Sequence, residues 1–333
     1  MNRTQFLRHF LTATIITLGP RQLLAFAPGE KSLIQPPMLQ PGNTIGITCP
    51  AGAVVEQDVL TATQMLESWG FRVFRGNTVG KSWMVFGGTD EERLADLQQM
   101  INNPNIHAIL CGRGGYGVTR ILDSLDLTPL TQHPKWIIGY SDITALHCQL
   151  QQQYNIASIH ADMVNGLGNT LDSSSFTLYE LLTGTKPVYS FPSSGYNRKG
   201  IAEGQLVGGN LSMVLAMMGS SGELQTDGKL LFLEDVREYK YSIDRMLQTL
   251  KRAGKLKNLQ GLVLGGFVRL REDNPDEYAM NIGEIILEKV AEYTYPVCFN
   301  FPAGHQVLNM ALKFGASHRL HVEDQISSLV ALE

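Results

Sequence analysis

Trp136-Ile137-Ile138-Gly139-Tyr140-Ser141-Asp142-Ile143-Thr144 is the stretch on which the reading of this chain turns. A β-rich apolar run stops at a glycine, and a serine stands immediately before a helix-like segment. A strand that turns sharply into a helix leaves the turn residue's side chain exposed above the sheet. The N–H groups of the helix's first turn are then free to bind a negative oxygen. An activated serine nucleophile needs that geometry, and the stretch approaches the G-x-S-x-G elbow with Ile143 in place of the second glycine. The same residues would also serve a plain helix cap by Ser141 or Asp142.

Outward from this stretch, short apolar runs alternate with amphipathic segments of helix length. Residues 44–49, 71–74, 108–111, 136–139 and 156–160 read as strands. Residues 58–69, 90–101, 116–122 and 143–152 carry helical periodicity with polar starts. Such alternation implies a doubly wound parallel sheet, because parallel strands need crossover connections. Sites in these sheets lie at the carboxyl ends of the strands, where both Ser141 and the glycines after Cys111 fall. Residues 40–170 therefore read as an N-terminal domain carrying the nucleophile. Residues 171–199, rich in serine, threonine and glycine, read as an interdomain linker. Residues 200–333 read as a smaller mixed α/β domain.

Composition narrows the partners. The net charge of −4 and the lack of lysine or arginine clusters leave no footprint for nucleic acid. Residues 1–27 resemble an export signal: Arg3 and Arg8 lead, an apolar stretch follows, and Ala25-Phe26-Ala27 resembles a cleavage site. The apolar run is too short to span a bilayer, so the expectation is a periplasmic protein with no integral membrane segment once the signal is removed, with a cytoplasmic location as the alternative. Cys49, Cys111, Cys148 and Cys298 lie far apart without metal-ligand spacing and read as small core residues.

Gly112-Arg113-Gly114-Gly115-Tyr116-Gly117 satisfies G-x-G-x-x-G, yet it follows the third strand of the unit and lacks the acid expected about twenty residues later. Close backbone approach to a reacting group is the better use of these glycines, with their N–H groups supplying an oxyanion hole. A serine needs a base, and the base an orienting acid. His305 stands out among eight histidines because Phe301-Pro302-Ala303-Gly304-His305 places it in a tight turn after a strand-like run. His160 ends a strand and could line the crevice. Leu230-Leu231-Phe232-Leu233-Glu234-Asp235 supplies an acid at a strand end, and alternation sends Glu234 and Asp235 to opposite faces. No metal-binding motif and no cofactor are implied.

Taken together these segments resemble the LD-carboxypeptidase family of serine peptidases, which includes murein tetrapeptide carboxypeptidases and microcin-immunity peptidases. Gly46-Ile47-Thr48-Cys49-Pro50-Ala51-Gly52 and Gly208-Gly209-Asn210-Leu211 extend the likeness over nearly the whole chain after residue 27. The resemblance implies Ser141 as nucleophile, Glu234 as the acid orienting the histidine, and His305 as general base. It also implies the N–H groups of Asp142, Gly114 and Gly115 as oxyanion donors and Asn210 near the oxyanion or substrate, together with a murein-derived peptide substrate, a homodimer and no metal. The expected reaction removes the terminal D-alanine of murein tetrapeptide. A same-fold peptidase acting on a peptidyl-nucleotide antibiotic is one alternative, and a catalytically inactive muropeptide-binding protein is another. One departure stands out: the family often reads His-Gly-Pro where this chain has His160-Ala161-Asp162.

Overall fold

The computed structural model describes residues 32–168, 172–271 and 278–332, so the export signal read at residues 1–27 lies outside it. Strands β1 (Thr44–Thr48), β2 (Arg72–Arg75), β3 (Ala108–Cys111), β4 (Trp136–Gly139) and β5 (Ser158–His160) are mutually parallel in the order β5-β4-β3-β1-β2. The order reverses beside β1, which is the doubly wound arrangement. Helices cover both faces. On β4, Trp136 and Ile138 pack with Val59, Ala62 and Leu66 of helix Glu56–Ser68. Ile137 belongs to the opposite cluster, with Leu97, Met100 and Ile101 of helix Asp90–Asn102. Period-2 alternation along an all-apolar strand thus supplies both cores, each buried aliphatic side chain contributing about 1.5–3 kcal/mol. Thr89 and Glu92 form a reciprocal capping box that fixes the start of the second helix.

The second sheet contains β6 (Val188–Pro192), β7 (Gly200–Asn210), β8 (Leu230–Val236), β9 (Gly261–Val268), β10 (Val297–Cys298), β12 (Ser317–Val322) and β13 (Ile326–Ala331), ordered β10-β9-β8-β7-β12-β13-β6. Its β7-β8-β9-β10 part is parallel, while β12, β13 and β6 attach antiparallel. The remaining strand, β11 (Leu312–Phe314), belongs to the first sheet, antiparallel against β5 with Leu312 opposite His160. The carboxyl-terminal part of the chain therefore supplies an edge to the sheet that bears Ser141.

Two expectations need correction. The stretch read as a linker at 171–199 contains helix Asp172–Thr183 and strand β6. Its serine-rich start resembles a loop, but Leu178, Leu181 and Leu182 are buried against the first domain's core, and burial outweighs weak local propensity. The helix expected at 143–152 is divided into a 3₁₀ turn at Ser141–Ile143, an α-helix at Thr144–Gln149 and a π-helical turn at Leu150–Tyr154. All four cysteines are buried and free. No helix among the described residues is long and apolar enough to cross a membrane.

Candidate active site

Ser141 stands at the carboxyl end of β4 with φ +63°, the left-handed region that costs a residue with a Cβ roughly 1–2 kcal/mol. The turn Ile143 N–H to Tyr140 C=O (3.2 Å) and the helix beyond hold it there. Gly114 lies against it: a Cβ at that position would come within 2.8 Å of Ser141 Cβ. The glycine run is itself fastened. Gly52 N–H donates to Gly114 C=O (3.0 Å), and the buried Arg93 guanidinium donates to the carbonyls of Gly117 and Pro50. Asp142 turns its buried carboxylate to Val118 N–H (2.8 Å); burial pushes that carboxyl up, and the hydrogen bond opposes the shift.

The second half of the site comes from β8 and the turn after β10. His305 Nε2 lies 3.1 Å from Ser141 Oγ, and His305 Nδ1 lies 2.7 Å from Glu234 Oε2. That network assigns the ring proton to Nδ1, leaving the Nε2 lone pair to accept from the serine hydroxyl. His305 N–H also donates to Glu234 Oε2 (3.1 Å), so one carboxylate oxygen fixes both backbone and ring. Gly304 permits the approach, since its φ is +100° and a Cβ there would come within 2.7 Å of the same oxygen. Glu234 is fully buried. Asp235 leaves the strand on the other side and accepts from Ser212 N–H (3.0 Å) and Ser212 Oγ–H (2.7 Å). Burial pushes the Asp235 carboxyl up, against the pull of its bonds to Ser212, Val236 and Asn210.

Amide side chains brace this half. Asn210, expected near the oxyanion or substrate, sits behind the acid. Its Nδ2 donates to Glu234 Oε1 (3.2 Å) and Asp235 Oδ1 (3.0 Å), while its Oδ1 caps helix Leu211–Ala216 through Met213 N–H. Its own N–H donates to Thr144 Oγ1 (3.1 Å), joining β7 to the helix behind Ser141. Asn309 accepts from Gly304 N–H (2.8 Å) and donates to Asp162 Oδ1 (2.7 Å). The residue that departs from the family's usual pattern thus supports the turn bearing His305. His160 lies fully buried among Tyr140, Phe232 and Phe314, so it does not line the crevice. Desolvation holds it neutral, with its pKa well below the ordinary histidine value. Tyr140 also packs on His305 at 4.8 Å between ring centroids.

Ser141 and His305 open onto a cavity of about 310 Å³, also lined by Gly114, Gly115, Tyr140 and Arg113, Arg237 and Arg269. Asp142 and Asn210 are not on its wall. Sequence reasoning did not single out the three arginines. Arg113 stood inside the quoted glycine run, while Arg237 and Arg269 follow strand ends with no motif to mark them. Among the described residues no cluster of three or more His, Cys, Asp or Glu side chains is arranged to hold a metal ion.

The sequence matches the LD-carboxypeptidase N-terminal domain over residues 45–161 and the LD-carboxypeptidase C-terminal domain over residues 203–320. It is 32% identical to the probable murein peptide carboxypeptidase of Bacillus subtilis, over 89% of this chain and 94% of that protein. It is also 32% identical to the murein tetrapeptide carboxypeptidase of Pseudomonas aeruginosa, over 81% and 91% of the two chains. The crystal structure of muramoyltetrapeptide carboxypeptidase from Oxalobacter formigenes superposes with a TM-score of 0.80 at 28% identity, covering 87% of this chain and 99% of that one. The chain belongs to the LD-carboxypeptidase family, and with it to the serine-type carboxypeptidases.

Proposed function

We propose that this chain removes the terminal D-alanine of murein tetrapeptide through an acyl-enzyme on Ser141. The observation that carries the reading is the continuous hydrogen-bonded line from Ser141 Oγ through His305 to buried Glu234 at the mouth of a cavity. His305 Nε2 takes the hydroxyl proton as Ser141 Oγ attacks the scissile carbonyl. The N–H groups of Asp142 and of Gly114 or Gly115 receive the oxyanion. His305 then protonates the departing amine of D-alanine, and water activated by the same ring releases the acyl group. Glu234 holds the imidazole in its tautomer and stabilises the imidazolium without taking the proton.

Incubation with murein tetrapeptide and mass detection of D-alanine and the shortened peptide tests the reaction. Absence of both products, with a correctly folded protein, would refute it. Cleavage of a peptidyl-nucleotide in its place would favour the antibiotic-directed alternative, which would call for a stacking surface for the base. Among the described residues, the aromatic ring systems on the cavity wall are Tyr140 and His305, already packed on each other. Export to the periplasm and a homodimeric state belong to the same proposal. Cell fractionation tests the first and sedimentation the second.

A further inference from the structure

Helix Asp90–Asn102 turns an apolar stripe inward, with Leu97, Met100 and Ile101 in the core. Arg93 occupies the same stripe one turn before Leu97, and it is fully buried. A charge at a core position contradicts the pattern around it, and burying it is costly even when it is paired. A conflict of this kind marks a residue kept for something other than stability. We infer that Arg93 is a positioning residue for the reaction, holding the glycine run so that its N–H groups meet the oxyanion. The inference rests on the hydrolytic reading above and extends it to a residue outside the cavity wall. Arg93 acts on the donors, not on the nucleophile.

The bonds of the side chain show what is held. Nη1 donates to Gly117 C=O (2.9 Å) and to Pro50 C=O, Nε to Gly88 C=O (3.3 Å), and Nη2 to Asp90 Oδ1. Pro50 leads into Gly52, whose N–H donates to Gly114 C=O (3.0 Å). Gly114 and Gly117 are the buried feet of an arch, and Gly115 and Tyr116 between them are exposed. Arg93 therefore fixes one foot directly and the other through the segment from Pro50 to Gly52. The fit is close: a Cβ at Gly117, whose φ is +143°, would come within 2.7 Å of Arg93 Nη1. Asp90 also accepts from Arg120 Nη2 (2.6 Å), on the short helix that continues from Gly117, and the Phe86 ring covers the Arg93 guanidinium at 4.9 Å. Asp142, which offers the other oxyanion N–H, reaches the same foot by accepting from Val118 N–H (2.8 Å). Both sets of donors are thus referred to one buried fork. A guanidinium points planar donors in several directions at once, and an ammonium in its place would satisfy only some of these carbonyls. Displacing a preorganised donor by about 1 Å weakens transition-state binding by about a hundredfold, with little effect on the ground state.

The experiment uses the full chain and compares Arg93→Met and Arg93→Lys with Lys135→Met. Lys135 is a second buried cation, serving the far end of the same helix through the carbonyls of Met100 (2.9 Å) and Asn103. Its loss controls for instability. Steady-state kinetics on murein tetrapeptide are read beside urea midpoints and the Ki of a phosphonate analogue of the scissile bond, whose anionic oxygen mimics the oxyanion. For Arg93→Met the expected result is a kcat lowered by about a hundredfold and a KM within about threefold of the parent's. The phosphonate Ki should rise in step with the loss in kcat/KM. Arg93→Lys should recover part of both, and Lys135→Met should keep both near the parent's values despite a lowered urea midpoint. Should Arg93→Met fail to fold, the lysine variant decides: its kcat falls and its Ki rises together, or the inference is overturned. Unchanged kcat in the folded Arg93 variants, a rise in KM alone, or an equal kcat loss in Lys135→Met also overturns it, leaving the hydrolytic reading intact. If the parent enzyme releases no D-alanine, that reading fails instead, and the rate at which a fluorophosphonate labels Ser141 becomes the readout. Slower labelling of Arg93→Lys than of Lys135→Met supports the inference; equal rates, or no labelling of the parent, overturn it.

Discussion

The two halves of the site are held in place by different means. Ser141 is positioned by backbone: a left-handed turn, a glycine pressed against its Cβ, and the start of a helix. His305 and Glu234 are positioned by side chains, through a lattice that runs from Asn210 to Glu234 and from Asp162 through Asn309 to Gly304. A position fixed by backbone tolerates change in neighbouring side chains but not added bulk in its glycines. A position fixed by amides and carboxylates is vulnerable to single isosteric substitutions, because each removes a buried partner.

The largest effect is expected at the nucleophile. Ser141→Ala should lower kcat by on the order of 10⁴–10⁶, by analogy with other serine peptidases, and shift stability by less than about 1 kcal/mol. If backbone strain holds this half, Ser141→Gly should be as inactive yet more stable than the alanine variant, by up to about 1 kcal/mol in urea unfolding. Equal stability of the two would remove strain from the comparison. Next comes the acid: Glu234→Gln should cost about 10²–10⁴ in kcat, with Asp235→Asn far milder, both measured on the same tetrapeptide. A more damaged Asp235→Asn would mean that the carboxylate bound to Ser212 is the one that matters.

Asn309→Ala should sit lower in the series. It leaves Gly304 N–H and Asp162 without their shared partner, which should cost about 1–3 kcal/mol of stability and lower kcat/KM by roughly tenfold as the turn of His305 loosens. Activity unchanged alongside lost stability would confine Asn309 to folding.

The last effect is one of pH on stability, and concerns histidines that burial keeps neutral near neutral pH. His147 and His318 are buried, and desolvation lowers each to about 4; the same cause holds His160 well below the ordinary histidine value. Between pH 6.5 and 4 the unfolded chain takes up protons that the folded one refuses, so acidification through this window destabilises the fold. At pH 5 the loss should reach at most about 2 kcal/mol for each histidine. Asp142 and Asp235, whose carboxyls are raised by burial, act in the opposite sense at the acid end. Urea midpoints at pH 7.5 and 5 measure the difference. A higher midpoint at pH 5 would contradict the neutral assignment.

What could be read from the chain follows the same division. Strands β3 and β4 were legible residue by residue, since each is a short apolar run closed by glycine or turn residues. The separation of Glu234 from Asp235 was legible because side chains alternate along a strand whatever surrounds it. The helix at Asp172–Thr183 was not, because Ser173-Ser174-Ser175 mimics a loop and only tertiary burial of the leucines beyond reveals the element. The three-residue β11 is too short to carry a period at all. Asn309 and the cavity arginines were hidden for a third reason: each acts where separate loops converge, and convergence is a property of sheet order, not of local spacing.

β11 also gives the molecule a timetable. A nascent chain leaves the ribosome amino end first, so β1 to β5 emerge long before Leu312–Phe314, and until then β5 exposes an unpaired edge. The residues that complete that edge follow His305 by only a few positions. Completion of the sheet beneath the serine and arrival of its base therefore fall almost together, long after β1 to β5 have emerged. A truncated product would lack both the finished scaffold and the means to attack a peptide bond.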